Sequence, residues 1–259
     1  MKIERKKNIL IGLLLLSTII TAILLYLSKF NNFQPQFLPT PVAEANRMRT
    51  TFSQPNGMLD KLNRFIIKIN YPLDKFIAIT DNIKNVSNKD ELILRVYFIQ
   101  LTPEFVGSSG NNFFITNKEK LYVAFLYVDK NSKQIGDPFL LDDKGDIKSI
   151  KNENLEKLHL AYQCNIKSQI LGFAHDIKNT DYVKVDVKEL FEFITKVNNL
   201  GNVASKCIDF EMTESIIHDG SNQEGFLTFF NNVSEKNTGA KISELSNYNM
   251  NSLCPNQCP

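Results

Sequence analysis

Leu121-Tyr122-Val123-Ala124-Phe125-Leu126-Tyr127-Val128 is an unbroken apolar run of aromatic, aliphatic and β-branched residues that ends on the polar Asp129-Lys130-Asn131. A short apolar run closed by a turn signal reads as a strand buried on both faces. A second run of the same character lies upstream between Glu91 and Thr102, with Leu92, Ile93, Leu94, Val96, Tyr97, Phe98, Ile99 and Leu101. Gly107-Ser108-Ser109-Gly110 stands between the two runs as a turn, so together they read as a hairpin with a long connection. Farther upstream, Pro41 to Phe52 has the pattern of a short amphipathic helix with proline at its start. Leu73, Phe76, Ile77, Ile79 and Ile83 then recur at roughly helical spacing. Helix, helix, strand, strand is the order of an α+β protein.

The second half repeats that order. Leu155 to Cys164 is a short helical pattern, and Val187, Leu190, Phe191, Ile194 and Val197 predict a helix that stops at Asn198, Asn199 and Gly201. Ile208, Phe210 and Met212 alternate within a strand from Cys207 to Thr213, and Phe226 to Phe230 supplies another. Laid along each other, Leu121–Gly136 falls on Leu227–Ile242, and Arg95–Thr102 falls on Lys206–Thr213. Phe76, Ile79 and Thr80 fall on Phe191, Ile194 and Thr195. Two explanations stay open: an internal duplication, giving two related lobes that pack together or share a sheet, and the apolar patterning common to any two α+β stretches. The expected division is a basic flank and anchor at 1–30, a spacer at 31–45, a first α+β lobe at 46–148, and a second α+β lobe with a cysteine tail at 149–259.

The anchor is read from Ile9 to Leu27, an uncharged apolar run preceded by Lys2, Arg5, Lys6 and Lys7 and followed by Lys29. At ~1.5 Å per residue, ~20 residues match the ~30 Å hydrocarbon core of a bilayer, and the basic flank stays cytoplasmic. The run is longer than the apolar core of a signal peptide, and no small-x-small cleavage site follows it closely. It therefore predicts an uncleaved, single-pass span of a bacterial inner membrane, with the bilayer contacted by residues 8–28 and everything after Lys29 in the periplasm. Pro35, Pro39 and Pro41 make the next segment a semi-rigid spacer. With a formal net charge of +2 and the basic residues concentrated in that flank, the rest of the 259-residue chain is close to neutral. No nucleic-acid partner is expected from it. The 43% apolar fraction and 19 phenylalanines argue for a packed core.

The residues able to carry chemistry are few. All four cysteines (Cys164, Cys207, Cys254 and Cys258) lie in the second half and are candidates for disulfides in an oxidising compartment. Cys254 and Cys258 would close a loop in the tail and Cys164 and Cys207 would pair across the fold, although four cysteines allow three connectivities. The three histidines occur as His159, His175-Asp176 and His218-Asp219. Such pairs resemble the ligand pairs of metal-dependent phosphohydrolases, in which a carboxylate and an imidazole hold a cation side by side. Against that reading, the flanks Gly172-Phe173 and Gly220-Ser221 suggest loops near strands rather than a helical bundle. Neither a nucleophile elbow, a phosphate-binding glycine loop nor a paired-histidine zinc helix is present in the sequence. Asp129-Lys130-Asn131 begins like a calcium loop but has Lys133 where an oxygen ligand is needed, and Asp142-Asp143-Lys144-Gly145-Asp146 reads as a solvated turn. Asn85-Val86-Ser87 and Asn232-Val233-Ser234 are glycosylation acceptors only in a eukaryotic host. No metal, cofactor or catalytic set is assigned.

The strand-and-turn stretch Leu121–Gln134, the basic pair Arg47 and Arg49 in the first helix, and the terminal Cys254-Pro255-Asn256-Gln257-Cys258 resemble a group of Bacteroidota envelope proteins of no assigned activity. The likeness covers residues 41–145 and the tail; the long second part and the single Pro255 depart from it. It implies a Gram-negative envelope setting. The expectation is a membrane-anchored binding or structural module working with other envelope proteins and not an enzyme, the alternative being a membrane-tethered hydrolase, metal-dependent or not. The hydrolase requires His159, His175, Asp176, His218 and Asp219 to converge.

Overall fold

Every side chain of Leu121–Val128 is buried, and two antiparallel sheets assemble around this strand. The computed structural model describes residues 37–54, 68–171, 180–219, 222–250 and 252–254. One sheet has six strands in the order β11 (Ser252–Cys254), β7 (Tyr182–Asp186), β3 (Ile93–Gln100), β4 (Leu121–Val128), β5 (Gln134–Leu141) and β6 (Ile147–Ser149). The other has five, in the order β1 (Phe37–Pro39), β10 (Tyr248–Met250), β9 (Asn222–Glu235), β8 (Lys206–Asp219) and β2 (Lys68–Pro72). The helices are α1 (Val42–Ser53), α2 (Leu73–Ile77, continued by a 3-10 turn over Ala78–Ile83), α3 (Pro103–Ser109), α4 (Asn112–Thr116), α5 (Asn152–Tyr162), α6 (Ser168–Leu171) and α7 (Val187–Asn199). A π turn, Gln163–Lys167, joins α5 to α6.

The sheets meet along an aromatic seam. Phe210 of β8 lies 5.6 Å from Tyr71, 5.5 Å from Phe76, 6.0 Å from Phe125 and 5.2 Å from Phe229, ring centre to ring centre. Phe98 of β3 reaches the same Phe229 at 6.1 Å. Alternation along a strand sends successive side chains to opposite faces, so Leu227, Phe229 and Val233 of β9 join this core while Phe230 packs on the other face with Ala45 and Met48 of α1. Between the sheets the Tyr71 and Tyr122 hydroxyls are 2.7 Å apart. Tyr122 gives its own proton to the Leu141 carbonyl, so Tyr71 donates to Tyr122. Burial pushes both phenols well above their ordinary range.

The expected architecture, an anchoring helix followed by two helix-helix-strand-strand lobes, is corrected here. Among the described residues no helix is long and apolar enough to cross a membrane; the run Ile9–Leu27 lies outside them. Residues 35–259 form one unit in which the halves are interleaved. β2 of the first half pairs with β8 of the second, Ile69 opposite Phe210, and β7 of the second half pairs with β3 of the first, Val96 opposite Val183. The reason is burial on both edges. β3 and β8 each need a partner on both sides, and β7 and β2 bring Val183, Val185, Ile69 and Tyr71, all buried, to those edges. The likeness between Leu121–Gly136 and Leu227–Ile242 is that of two apolar strands, each followed by a polar turn. The connection at Gly107–Gly110 is also corrected: it is built from α3 and α4, not from a turn.

Candidate functional site

Thr102-Pro103 starts α3 as a cap followed by proline, the Thr102 hydroxyl accepting from the Phe105 amide at 3.4 Å. α3 ends at Gly110, whose φ of 61° suits a residue without Cβ. Asn111 then caps α4, its Oδ1 accepting from the amides of Phe113 and Phe114 at 2.9 and 3.4 Å. Its Nδ2 donates to Asp142 Oδ2 at 3.1 Å. Asp142 is 4% exposed rather than solvated; its Oδ1 accepts from the amides of Lys144 and Asp146, both at 3.0 Å, and closes the β5–β6 hairpin. One buried carboxylate thus ties the hairpin to the α3–α4 corner.

Between that corner and the β6–α5 segment runs an open cleft of about 650 Å³, within the usual range for ligand pockets. Phe105 and Phe114, 5.9 Å apart, with Ile147 and Ile150 make its apolar part. Ser108, Ser109, Ser149 and Asn154 add polar groups. At the start of α5 the character changes. No side chain caps this eleven-residue helix, so its first amides and the positive end of its dipole stand beside Lys148 and Lys151, with Glu153 of the first turn as the one carboxylate lining that end. Lys148 Nζ is 3.6 Å from Asp142 Oδ2. The cleft mixes apolar and polar groups along its length, and at one end Lys148 and Lys151 outnumber Glu153, a combination suited to an anionic group carried on a partly apolar body.

A second polar cluster surrounds Asp181. The π turn carries Gln163 and Lys167 to this carboxylate: Lys167 Nζ is 2.6 Å and Gln163 Nε2 3.0 Å from its Oδ1. His159 stands one turn before. Its Nδ1 is 2.8 Å from the Phe98 carbonyl, which only accepts, so Nδ1 carries the proton; Nε2 is 3.6 Å from Asp181. Burial lowers the His159 pKa, against the Phe98 hydrogen bond and the Asp181 charge, which raise it. Lys167 and Asp181 are both almost fully buried, which identifies the cluster as a packed ion pair. On the outer face of the five-stranded sheet, Arg49 of α1 grips Glu211 through Nε and Nη2 at 3.0 and 2.9 Å and lies 4.9 Å over the Phe230 ring. Burial pushes the Glu211 carboxyl up, but Arg49 and then Lys241 outweigh it and hold the pKa below its ordinary value.

Of the residues singled out by sequence, His159 belongs to the Asp181 cluster. His175 and Asp176 lie outside the described residues, and His218 and Asp219 are placed only as backbone at the end of β8, opposite Gln223 and Asn222. Cys164 and Cys207 are not joined: both are free, Cys164 exposed after α5 and Cys207 buried on β8, where burial raises its thiol pKa. Cys254 is placed as backbone in β11, and Cys258 lies outside the described residues. No group of three or more histidine, cysteine, aspartate or glutamate side chains placed to hold a metal occurs among the described residues. Asn232 is fully buried and hydrogen-bonded to Glu211, so no glycan fits there. Sequence reasoning missed the cleft. The cap Thr102-Pro103 and the cap Asn111 were signals able to reveal α3 and α4; nothing in the sequence placed them against β6. No protein-family model, curated protein or solved structure matches the chain.

Proposed function

We propose that the protein is a binding module of a bacterial envelope, held at the inner membrane by its apolar N-terminal run, with the cleft between α3–α4 and β6–α5 as its ligand site. The run Ile9–Leu27 with its basic flank supports the membrane address, and the prolines at 35, 39 and 41 support a module held off the bilayer. The observation that carries the ligand reading is the polarity of the cleft, with Phe105, Phe114, Ile147 and Ile150 along it and, at one end, an uncapped helix start where Lys148 and Lys151 outnumber the single carboxylate Glu153. Its ligand is an anion on an apolar body, and its partners are other envelope components.

The test is thermal unfolding of the full chain in detergent micelles with octanoate, and with octanol as the uncharged control. At ten times Kd the acid adds ~1.4 kcal/mol. For a unit of this size that raises Tm by about 3 °C. Octanol is expected to give a clearly smaller shift. The cleft-filling Ser108→Trp should remove the response to octanoate while leaving the unliganded melt intact. Equal shifts for acid and alcohol, or a shift that survives Ser108→Trp, would overturn the assignment.

A further inference from the structure

One wall of the cleft is a sheet edge. β6 pairs with β5 in the register Ile147 with Leu141, Lys148 with Leu140 and Ser149 with Phe139. The flanking bonds show which pairs carry the ladder: the Ile150 amide donates to the Pro138 carbonyl at 2.8 Å and the Asp142 amide to the Asp146 carbonyl at 3.1 Å. Hydrogen-bonded and non-bonded pairs alternate in an antiparallel ladder, so the pair between those two, Lys148 with Leu140, is also bonded. The N–H and C=O groups of Ile147 and Ser149 therefore point away from β5. β6 is the last strand of its sheet, and all three of its residues line the cleft.

Resting on the cleft being the ligand site, we infer that its ligand is the carboxyl-terminal end of an extended peptide from another envelope protein, which adds to β6 as a seventh strand. Main-chain groups of the peptide take the free N–H and C=O groups of Ile147 and Ser149, the mode by which strands add to exposed edges. Alternate apolar side chains of the peptide lie on Phe105 and Ile147, the partly exposed apolar groups of the cleft. The carboxylate meets the first amides of α5 and the ammonium groups of Lys148 and Lys151, which outnumber the one carboxylate there, Glu153, so the charge of this end is complementary. Since β6 leads straight into α5, this polarity makes the peptide run parallel to β6. An uncharged peptide end or an internal loop leaves the cationic end unmatched.

Fluorescence anisotropy on the full chain in detergent micelles tests this. The probe is a fluorescein-labelled pool of pentapeptides with Val, Ile, Leu or Phe at alternate positions and a free carboxyl end, compared with the same pool amidated. The acid pool is expected to bind, and amidation to weaken binding by about tenfold, the scale of a charge-assisted contact. N-methylation of alternate peptide amides should abolish binding. Ser149→Pro removes an outward N–H without touching the β5 ladder, and should weaken the acid pool by a similar factor with an unchanged melt. Should that variant fail to fold, Ser108→Trp, which fills the cleft, must abolish binding of the pool. Absence of acid-pool binding, equal affinity for acid and amide, or full affinity in the N-methylated pool or in folded Ser149→Pro would overturn the inference. If octanoate still stabilises the protein while the peptides fail, only the peptide falls; if octanoate fails as well, the cleft assignment falls with it.

Discussion

Phe210 is the side chain on which both sheets converge, with rings from β2, α2, β4 and β9 around it. Truncating it removes a fully buried aromatic and leaves a cavity among rings held by different elements, so collapse into the space is restricted. Phe210→Ala is expected to cost about 3 to 5 kcal/mol, read from the shift of a urea unfolding curve. A loss below ~1 kcal/mol would mean that the seam is not packed as described. His159 makes a different residue-scale prediction. Burial, working against the Phe98 hydrogen bond and Asp181 and assisted by Lys167, places its folded pKa below the ordinary 6.5. The unfolded chain then binds the proton more readily. Stability from this site is fully present above pH 6.5 and is lost as pH falls from there through the folded pKa. Urea midpoints measured at pH 7.5 and 5.5 should drop more for the wild type than for His159→Phe; equal drops would contradict the assignment.

At the scale of elements, the β5–β6 hairpin decides whether the cleft exists. Its turn places Gly145 at a φ of 75°, and a Cβ there would lie 2.7 Å from the Cβ of Lys75 on α2. Both the left-handed backbone and the close approach require glycine. Gly145→Ala is expected to lose about 2 kcal/mol of stability and to weaken octanoate binding, because Ile147 to Ser149 follow directly after the turn. An unchanged melting temperature would disprove the close approach. A bulge lies on the other side of β5, in its pairing with β4, where Phe125 pairs with Phe139 but Tyr127 pairs with Ile135. Pro138, which has no N–H to give, sits in that irregularity, so the strand turns past β4 without breaking a ladder bond there. The elements with strong local signals were readable in sequence. The spacing of Val187 to Val197 predicts a helix, and Asp186 caps the α7 that forms there, its Oδ1 accepting from the Lys188 amide at 2.8 Å. The apolar spacing of Leu73 to Ile83 predicts one helix, but the chain tightens to a 3-10 turn after Ile77. The short strands β6 and β7 give no such signal, since three to five residues carry too little periodicity to separate a strand from a loop.

Over the whole molecule the interleaving makes neither half self-sufficient. A fragment of residues 37–149 would keep β2 to β6 but lose β7, which covers one edge of β3, and β8, against which β2 is paired. It would also lose Phe210 and Phe229 from the seam. The fragment is expected to show no cooperative unfolding transition by circular dichroism, and a sharp transition would revive the picture of two lobes. By itself the sequence determined the α+β class, the strands Ile93–Gln100 and Leu121–Val128, and helices at Val42–Ser53, Asn152–Tyr162 and Val187–Asn199 to within a few residues at their ends. Those features rest on local causes, such as caps, prolines and the spacing of apolar residues along a few turns. Only the tertiary structure decided that β2 joins β8 and β7 joins β3, because strand partners are chosen by which edges and faces remain uncovered once the rest of the chain has packed. The cleft belongs to the same class: Phe105 and Phe114 meet Ile147 and Ile150 across more than thirty residues of intervening chain, through a buried Asp142 whose role appears only when both segments are in place.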